Sequence, residues 1–276
     1  FNYAMTSTAT GGFGTESGSI ATFHSPAEEY VCTIFCFLSG VNFTLLYTSV
    51  TGFKFKQLFR NSEFKFYTTM IAAFTVFIML ELIFQCNYEV EHAFRSSVFQ
   101  VVSFITTTGL YSDDAAKWPH VTWVVLAACM FLGGSSGSTS GGIKSIRGVM
   151  LVKIVKNEFR QILHPNAVLP MKIDGYNVQM SKRVTLLAFI GLYLFLAVIC
   201  AFTMIAAGID STNSMTITLS SLGNVGPTLG LEIGPTMSWN ELPDFAKWIS
   251  SFLMLVGRLE LFSVLVLFTP SFWKEN

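Results

Sequence analysis

Three short turns in the chain combine threonine or asparagine with glycine, and these residue types suit the binding of a dehydrated cation. They read TATGGFG (8–14), TTTGLYS (106–112) and GNVGPTLG (223–230). A cation stripped of water needs a ring of backbone carbonyl oxygens, and glycine adopts cheaply the dihedrals that turn carbonyls inward. Threonine hydroxyls add oxygen ligands just below such a ring. One such turn alone also fits an ordinary helix C-cap, but three together indicate an ion-selectivity filter.

A run of ten small residues, GGSSGSTSGG (133–142, the Gly/Ser loop), permits an enzymatic interpretation. Gly133–Gly137 matches G-x-S-x-G, in which Ser135 or Ser136 would be a nucleophile. That chemistry needs a histidine within hydrogen-bond reach, and none of the four histidines lies inside an apolar run. A phosphate-binding loop nearly fits as well, but Ile143 interrupts the motif and no strand precedes it. An intramembrane serine hydrolase remains the alternative function.

The elements that must position these residues are apolar enough to cross a membrane. Of 276 residues, 51% are hydrophobic and 12% charged, about half the charged share of a soluble domain. A helix needs about 20 apolar residues to span a bilayer, and four runs approach that length: 30–47, 67–85, 184–208 and 245–268. A fifth candidate, 121–132 with 143–155, is divided by the Gly/Ser loop. Segments 93–106 and 215–222 are too short and predict re-entrant half-helices.

Charge alternates along the chain and predicts its topology. Segment 51–66 holds four Lys/Arg against one acid, and segment 143–183 holds eight against two, whereas the alternate loops are acidic. Basic loops face the cytoplasm, which puts all three turns on the outer side. The acids there, such as Asp113 and Asp114, either concentrate cations at a pore mouth or are plain solvated residues. The sequence therefore predicts a multi-pass protein of the cell inner (cytoplasmic) membrane.

The turns also recur at a fixed place in a repeated unit of helix, pore loop and helix. Alignment of Gly12, Gly109 and Gly226 gives spacings of 97 and 117 residues, and an apolar helix precedes the second and third turns. Three occurrences on one membrane face are strong evidence of a repeat.

On these residues the chain resembles the Trk/Ktr/HKT superfamily of potassium transporters, and most closely its TrkH-type pore-forming subunits. TATGGF resembles the second pore-loop repeat, TTTGL the third and NVGP the fourth. The Gly/Ser loop resembles the intramembrane gating loop, and VGRLELFSVLVLFTP the last helix. The resemblance implies an all-α membrane protein with repeated helix–pore loop–helix units around a pseudo-fourfold ion pore. With no match to the first repeat, we expect a fragment that does not conduct alone.

The resemblance implies potassium uptake and assigns the site residues. The chain divides into the second repeat (1–66), the third repeat with its interrupted gating helix (67–160), a cytosolic linker (161–183) and the fourth repeat (184–276). Potassium is expected at the filter residues Thr10, Gly11, Gly12, Thr107, Thr108, Gly109, Asn224, Val225 and Gly226. The gate comprises Gly133, Gly134, Ser135, Ser136, Gly137, Ser138, Thr139, Ser140, Gly141, Gly142, Lys144 and Arg258.

Three gate assignments have alternatives. Small residues also mark helix-packing sites, which would explain the Gly/Ser loop without gating. Lys144 fits an ordinary cytosolic basic residue equally well. Arg258 is expected in the middle of the last span, facing the pore, unless Glu81 neutralises it; Glu260 is a poor partner because it lies about 200° around the helix.

No cofactor is expected, since potassium is the transported substrate, and no enzymatic activity. The expected partners are membrane lipid, a second copy in a homodimer and a cytosolic nucleotide-binding regulatory subunit, for which segment 144–183 is a candidate docking surface. No nucleic-acid partner is expected. A helical membrane scaffold without a transport role is the remaining alternative.

Overall fold

The computed structural model describes residues 1–16, 18–53, 55–167, 169–230 and 239–274. Lys54 and Glu232, which belong to the predicted charge pattern, lie outside the described residues. The α-helices are α1 (Asn2–Ala9), α2 (Pro26–Ser39), α3 (Phe43–Thr51), α4 (Phe55–Arg60), α5 (Ser62–Cys86), α6 (Val90–Ile105), α7 (His120–Leu132), α8 (Ser145–Leu163), α9 (Met180–Ala206), α10 (Ser211–Gly223), α11 (Asp244–Arg258) and α12 (Leu261–Leu265). Short 3₁₀ turns cover Ser19–Phe23, Ala115–Lys117, Trp239–Glu241, Val266–Phe268 and Pro270–Phe272.

Two helices, α5 and α9, are each long and apolar enough to cross a membrane. Their 25 and 27 residues exceed the about 20 that a bilayer requires. Both keep large apolar side chains such as Phe84 and Phe202 exposed on the outside of the fold, as lipid-facing helices do. The long apolar helices predicted at 67–85 and 184–208 are therefore confirmed.

The spans predicted as continuous at 30–47 and 245–268 are each broken, so those two predictions were wrong in shape. Helices α2 and α3 meet at a bend of 100°, and α11 meets the turn Leu261–Phe268 at 116°. Asn42 starts α3 by accepting a hydrogen bond from Leu45 N at 3.1 Å, which is an N-cap inside an apolar run. If each bent pair is one span, the described residues hold up to four spans.

Arg258 is consequently the last residue of α11, not a mid-helix residue as expected. Glu260, two residues later, has a φ of 67°, which no regular helix accommodates. The break thus places Arg258 at a helix C-terminus, where the helix dipole favours a positive charge.

Short helices precede the three turns, as the half-helix prediction requires. α1, α6 and α10 have 8, 16 and 13 residues. The last turns of α6 are completely enclosed, with Val101, Phe104 and Ile105 at most 1% exposed. A helix wrapped by others on every side positions the turn at its end rigidly.

The linker between α8 and α9 contains a small antiparallel hairpin that the sequence did not predict. Strands β1 (Lys172–Ile173) and β2 (Tyr176–Asn177) are joined by Asp174 and Gly175. Both turn residues have positive φ, 47° and 90°, which is the Asp-Gly pattern of a tight two-residue hairpin. The hairpin is attached to α8 by Lys153 Nζ, which donates to Lys172 O at 2.7 Å.

Candidate ion filter and gating loop

The three turns adopt one unusual backbone conformation at the same place. In each, the first and third residues of the predicted filter triplet have positive φ: Thr10 (52°) and Gly12 (75°), Thr107 (54°) and Gly109 (76°), Asn224 (56°) and Gly226 (105°). The first residue is the left-handed end of its pore helix, and the third is glycine each time because side chains rarely adopt this conformation. Positive φ at the same two positions of three separate segments is what a repeated filter unit requires.

The turns also lie side by side in chain order. A Cβ added to Gly12 would overlap the carbonyl oxygen of Thr108, and one added to Gly109 would overlap that of Val225. A Cβ at Gly226 would meet nothing within 4 Å among the described residues. Glycine is therefore required at 12 and 109 twice over, by its φ and by the close approach of the next turn's carbonyl.

Three hydroxyl residues that the sequence analysis missed tie each turn to its own pore helix. Thr6 Oγ1 accepts from Phe13 N at 2.9 Å, Ser103 Oγ donates to Leu110 O at 2.5 Å, and Ser220 Oγ accepts from Gly226 N at 3.0 Å. Each lies four residues before the first turn residue, so the same spacings of 97 and 117 residues relate them. Extending the repeat alignment backwards would have found them.

The Gly/Ser loop is hydrogen-bonded to two of the three turns. Gly141 N donates to Thr107 Oγ1 at 2.6 Å, and Thr10 Oγ1 donates to Thr139 O at 3.0 Å. The equivalent residue of the fourth repeat differs, because Asn224 Nδ2 donates to Met254 O of α11 at 3.1 Å. Two hydroxyls at the base of the candidate filter therefore hydrogen-bond loop backbone.

The loop is irregular and folds on itself. Gly133, Gly137 and Gly142 have positive φ between 66° and 79°. Ser138 Oγ donates to Ser135 O at 2.5 Å and lies 2.7 Å from Ser140 Oγ. The segment is therefore not a helix-packing site, in which small residues would bring two regular helices together.

On the side of the second repeat, the break between α2 and α3 holds the loop with main-chain atoms. Ser135 N donates to Gly40 O at 2.8 Å, and Phe43 N donates to Gly137 O at 3.1 Å. Asn42 Nδ2 adds a bond of 2.5 Å to Ser136 O. The break supplies these groups because helix ends leave backbone donors and acceptors unpaired.

A buried carboxylate, which the sequence analysis also missed, grips the loop beside this break. Glu63 of α5 is 6% exposed. It accepts from Ser136 N at 2.6 Å, from Ser136 Oγ at 3.2 Å and from Ile146 N at 3.1 Å. Backbone bonds to a carboxylate are among the stronger hydrogen bonds, so Glu63 fixes both the loop and the start of α8.

On the side of the fourth repeat, cationic side chains hold the loop. Lys144 Nζ donates to Ser140 O at 2.6 Å, and an Arg258 nitrogen donates to Thr139 O at 3.1 Å. Arg147 pairs with Glu260 at 2.6 Å. These residues line a cavity of about 250 Å³ under the loop.

Glu81 is not the partner of Arg258 as suggested; it accepts a hydrogen bond from Gln85 one turn along α5.

The outer acids are engaged in local structure. Asp113 accepts from Tyr88 Oη at 3.2 Å and from Trp118 Nε1 at 3.3 Å. Burial and then Asp113 raise the pKa of Tyr88 to about 12. Asp114 accepts from Ala116 N at 3.2 Å and pairs with Lys117. These bonds account for Asp113 and Asp114 without a role at a pore mouth.

The serine hydrolase alternative receives no support. Within the described ranges, no hydrogen bond joins a histidine to Ser135 or Ser136, and Ser136 Oγ donates to Glu63. The histidine base that this chemistry needs would have to lie within such reach.

Short helices that end in glycine turns in register, with an irregular loop against their base, define a helical membrane protein of the pore-loop type. The family model described as "TrkH: Cation transport protein" matches residues 1–275. The chain belongs to this family. It is 35% identical over 274 residues to the Trk system potassium uptake protein TrkH of Escherichia coli K12, and 33% identical over 273 residues to that of Halomonas elongata; each match covers 99% of this chain and 56% of the relative.

A solved structure shows the same fold. The crystal structure of the potassium transporter TrkH from Vibrio parahaemolyticus matches with a TM-score of 0.91 at 32% identity, over 98% of this chain and 57% of that one. The chain thus spans about half the length of the curated relatives it matches. The fold class, the family and the prediction of a multi-pass protein of the cytoplasmic membrane are confirmed.

Proposed function

We propose that the protein takes up potassium across the cytoplasmic membrane through a filter of backbone carbonyls built by the turns at 10–12, 107–109 and 224–226. The relatives' names supply the ion. The repeated positive-φ conformation of these turns supports the filter assignment. The division into second repeat, third repeat, linker and fourth repeat belongs to the same proposal, since each repeat contributes one turn.

The Gly/Ser loop is the gate of this pore. The observation that carries the proposal is the bond from Gly141 N to Thr107 Oγ1, together with that from Thr10 Oγ1 to Thr139 O. A loop bonded to the base of the filter occupies the space directly below it, so this position of the loop opposes permeation. Lys144 and Arg258 add positive charge beneath it, which opposes a cation further.

The gate is tested by deletion of Ser138–Gly141 in the full-length protein, reconstituted in lipid vesicles. We expect potassium flux per correctly folded protein to rise at least severalfold, because the deletion removes the part of the Gly/Ser loop that is bonded to the filter. A folded deletion variant that conducts no faster than wild type would show that the loop is not the gate. No flux from wild type or variant would favour the scaffold alternative.

The filter is tested separately with Gly109→Ser. Serine at a φ of 76°, against the Val225 carbonyl, distorts the ring, and we expect weaker discrimination of potassium over sodium. Reversal potentials in mixed salts measure it. If the turn is only a helix cap, expression falls and the ion preference stays unchanged.

As partners we infer a second copy of the protein and a cytosolic nucleotide-binding regulatory subunit. The exposed basic residues Lys156 and Arg160 of α8 support docking at segment 144–183. Charge reversal of both should abolish co-purification of the regulatory subunit while membrane insertion persists. If that variant still binds the regulatory subunit, segment 144–183 is not part of the docking surface. No catalytic activity is part of this function.

A further inference from the structure

The cytosolic hairpin is bonded to the first turn of α5 through one carboxylate. Asp174 accepts from Asn61 Nδ2 at 3.1 Å, from Ser62 N at 2.9 Å and from Ser62 Oγ at 2.6 Å. The tight Asp174–Gly175 turn, with positive φ at both residues, presents Asp174 at the tip of the hairpin. A carboxylate at a helix N-terminus is favoured by the backbone donors and dipole there.

The next residue of α5 carries the bonds that hold the loop. Glu63 accepts from Ser136 N, Ser136 Oγ and Ile146 N. Glu63 is not needed to cap α5, because Asn61 Oδ1 already accepts from Phe64 N at 2.9 Å. Its carboxylate is therefore used entirely outside its own helix, on the loop and on the start of α8.

Two adjacent residues thus connect two distant segments. Ser62 binds the hairpin at 174, and Glu63 binds the loop at 136. The hairpin also holds α8, the helix that leaves the loop, through Lys153 and Lys172 O. A shift of the hairpin tip therefore acts on both the carboxylate that grips the loop and the helix that follows it.

We propose that Asp174 is a positioning residue for the gate: while the hairpin is docked, it fixes Ser62 so that Glu63 holds the Gly/Ser loop against the filter, and undocking releases the loop. This inference rests on the proposed gate. Asp174 is exposed, so its bonds are accessible to competition from the cytosolic side, whereas those of Glu63 are buried. The exposed contact is the point at which a cytosolic event acts on the buried one.

The competing interpretation is that Asp174 only caps α5. A cap changes stability by about the same amount whether or not the loop is present. A residue that acts through the loop changes flux only while the loop exists. The two interpretations therefore differ in coupling, which a double-mutant cycle measures.

The experiment uses the full-length protein in vesicles, without regulatory subunit, with flux normalised to folded dimer. Asp174→Ala should raise basal potassium flux about three- to tenfold in the intact protein and leave it unchanged in the Ser138–Gly141 deletion. Asp174→Asn, which keeps one acceptor oxygen for Ser62 N and Oγ, should retain most of the closure. Glu158→Ala, which removes the other acid of segment 143–183, is the charge-matched control and should not alter flux.

If the deletion raises flux but Asp174→Ala does not, the positioning role of Asp174 is wrong and the proposed gate is retained. An equal rise in both backgrounds also overturns it, because Asp174 would then act elsewhere. If the deletion itself has no effect, the loop is not the gate, and the positioning role of Asp174 is wrong as well.

A second variant covers the case in which Asp174→Ala does not fold. Ser62→Cys with Asp174→Cys should show high flux when reduced and wild-type flux when the disulfide re-joins hairpin and helix. Each single cysteine variant serves as a control for thiol reagents. Identical flux in the two redox states would overturn the proposal.

Discussion

The Gly/Ser loop is held differently on its two sides. Towards the second repeat, the break between α2 and α3 offers main-chain groups, with Gly40 O and Phe43 N bonded directly to loop backbone. Towards the fourth repeat, the break after α11 offers the long side chain of Arg258, and Lys144, two residues beyond the loop, folds back onto Ser140 O. One side is a fixed backbone contact, and the other depends on flexible cationic side chains.

This difference indicates which contact yields first. Main-chain groups cannot leave the loop without moving α2 or α3, whereas Lys and Arg side chains change rotamer at little cost. The fourth repeat also lacks a filter bond to the loop, because Asn224 binds Met254 O instead. We therefore expect the loop to leave from the fourth-repeat side and to pivot about the second-repeat side.

The largest effect is expected from Gly141→Ala. A methyl group there would lie 2.5 Å from the Gly223 carbonyl oxygen and 3.3 Å from Asn224 Cβ, so the loop must move away from the filter base. We expect basal potassium flux of the full-length protein in vesicles to rise about tenfold. Because one face of the loop is displaced, the bond from Gly141 N to Thr107 Oγ1 is lost as well.

The matched control is Gly191→Ala in α9, where an added Cβ meets nothing within 4 Å among the described residues. Alanine there favours the helix by up to about 1 kcal/mol, and flux should equal wild type. A Gly141→Ala protein that folds and conducts like the control would show that the loop does not rest against the filter.

Much of this arrangement was readable from the sequence, and the reason is physical. The turns at 10–12, 107–109 and 224–226 need glycine for their φ, so the composition displays them. The Gly/Ser loop is visible for the same reason. The two long spans follow from apolar length alone.

The breaks in the flanking helices were not readable from hydropathy. Segment 30–47 stays largely apolar through its break, where the loop satisfies Gly40 O and Phe43 N, and segment 245–268 carries only Arg258 and Glu260 at its break. Asn42, an N-cap residue inside an apolar run, was a local signal for the first of these breaks. Glu63 was missed because it lies in a basic stretch, where counting charges treats an acid as a loop residue; its role depends on a contact 73 residues away.

The next effect in size is expected from Arg258→Ala, on the fourth-repeat side. The variant loses a charged donor to Thr139 O and a positive charge beneath the loop. The bond is solvent-exposed, so we assign it about 1 kcal/mol, which corresponds to about a fivefold rise in flux. The effect should be less than additive with Gly141→Ala, since both release one element. If the effects of the two substitutions on flux add fully, Arg258 does not act through the loop.

A smaller effect is expected from Asn42→Ser, on the second-repeat side. Serine is also an N-cap residue for the bond to Leu45 N, but it lacks the amide that donates to Ser136 O. Because Gly40 O and Phe43 N still hold the loop, we expect flux to rise only about twofold. A rise as large as that of Arg258→Ala would mean that the two sides yield equally and that the pivot is wrong.

The smallest effects are expected from removing the hydroxyl group of two tyrosines, one on α5 and one on α9, the leading helices of the third and fourth repeats. Tyr67 and Tyr193 are 1% and 3% exposed, but only one hydroxyl is satisfied. Tyr67 Oη donates to Phe37 O at 3.0 Å on the second-repeat side. Tyr193 Oη has no hydrogen-bond partner in the part of the chain that the structure describes, although its ring packs against Phe131.

Phenylalanine keeps either ring and removes only the hydroxyl. Tyr67→Phe leaves a carbonyl without its donor, and we expect the free energy of unfolding to fall by about 1 kcal/mol. Tyr193→Phe removes a buried unpaired group, so we expect no loss or a small gain, with basal flux unchanged. Thermal unfolding of the purified full-length variants in detergent measures both. If both variants are equally destabilised, the Tyr193 hydroxyl must have a hydrogen-bond partner, because removal of an unpaired hydroxyl does not cost stability. The fourth-repeat side would then be as fully bonded as the second-repeat side. The difference between the loop's two sides would not extend into the helices behind them.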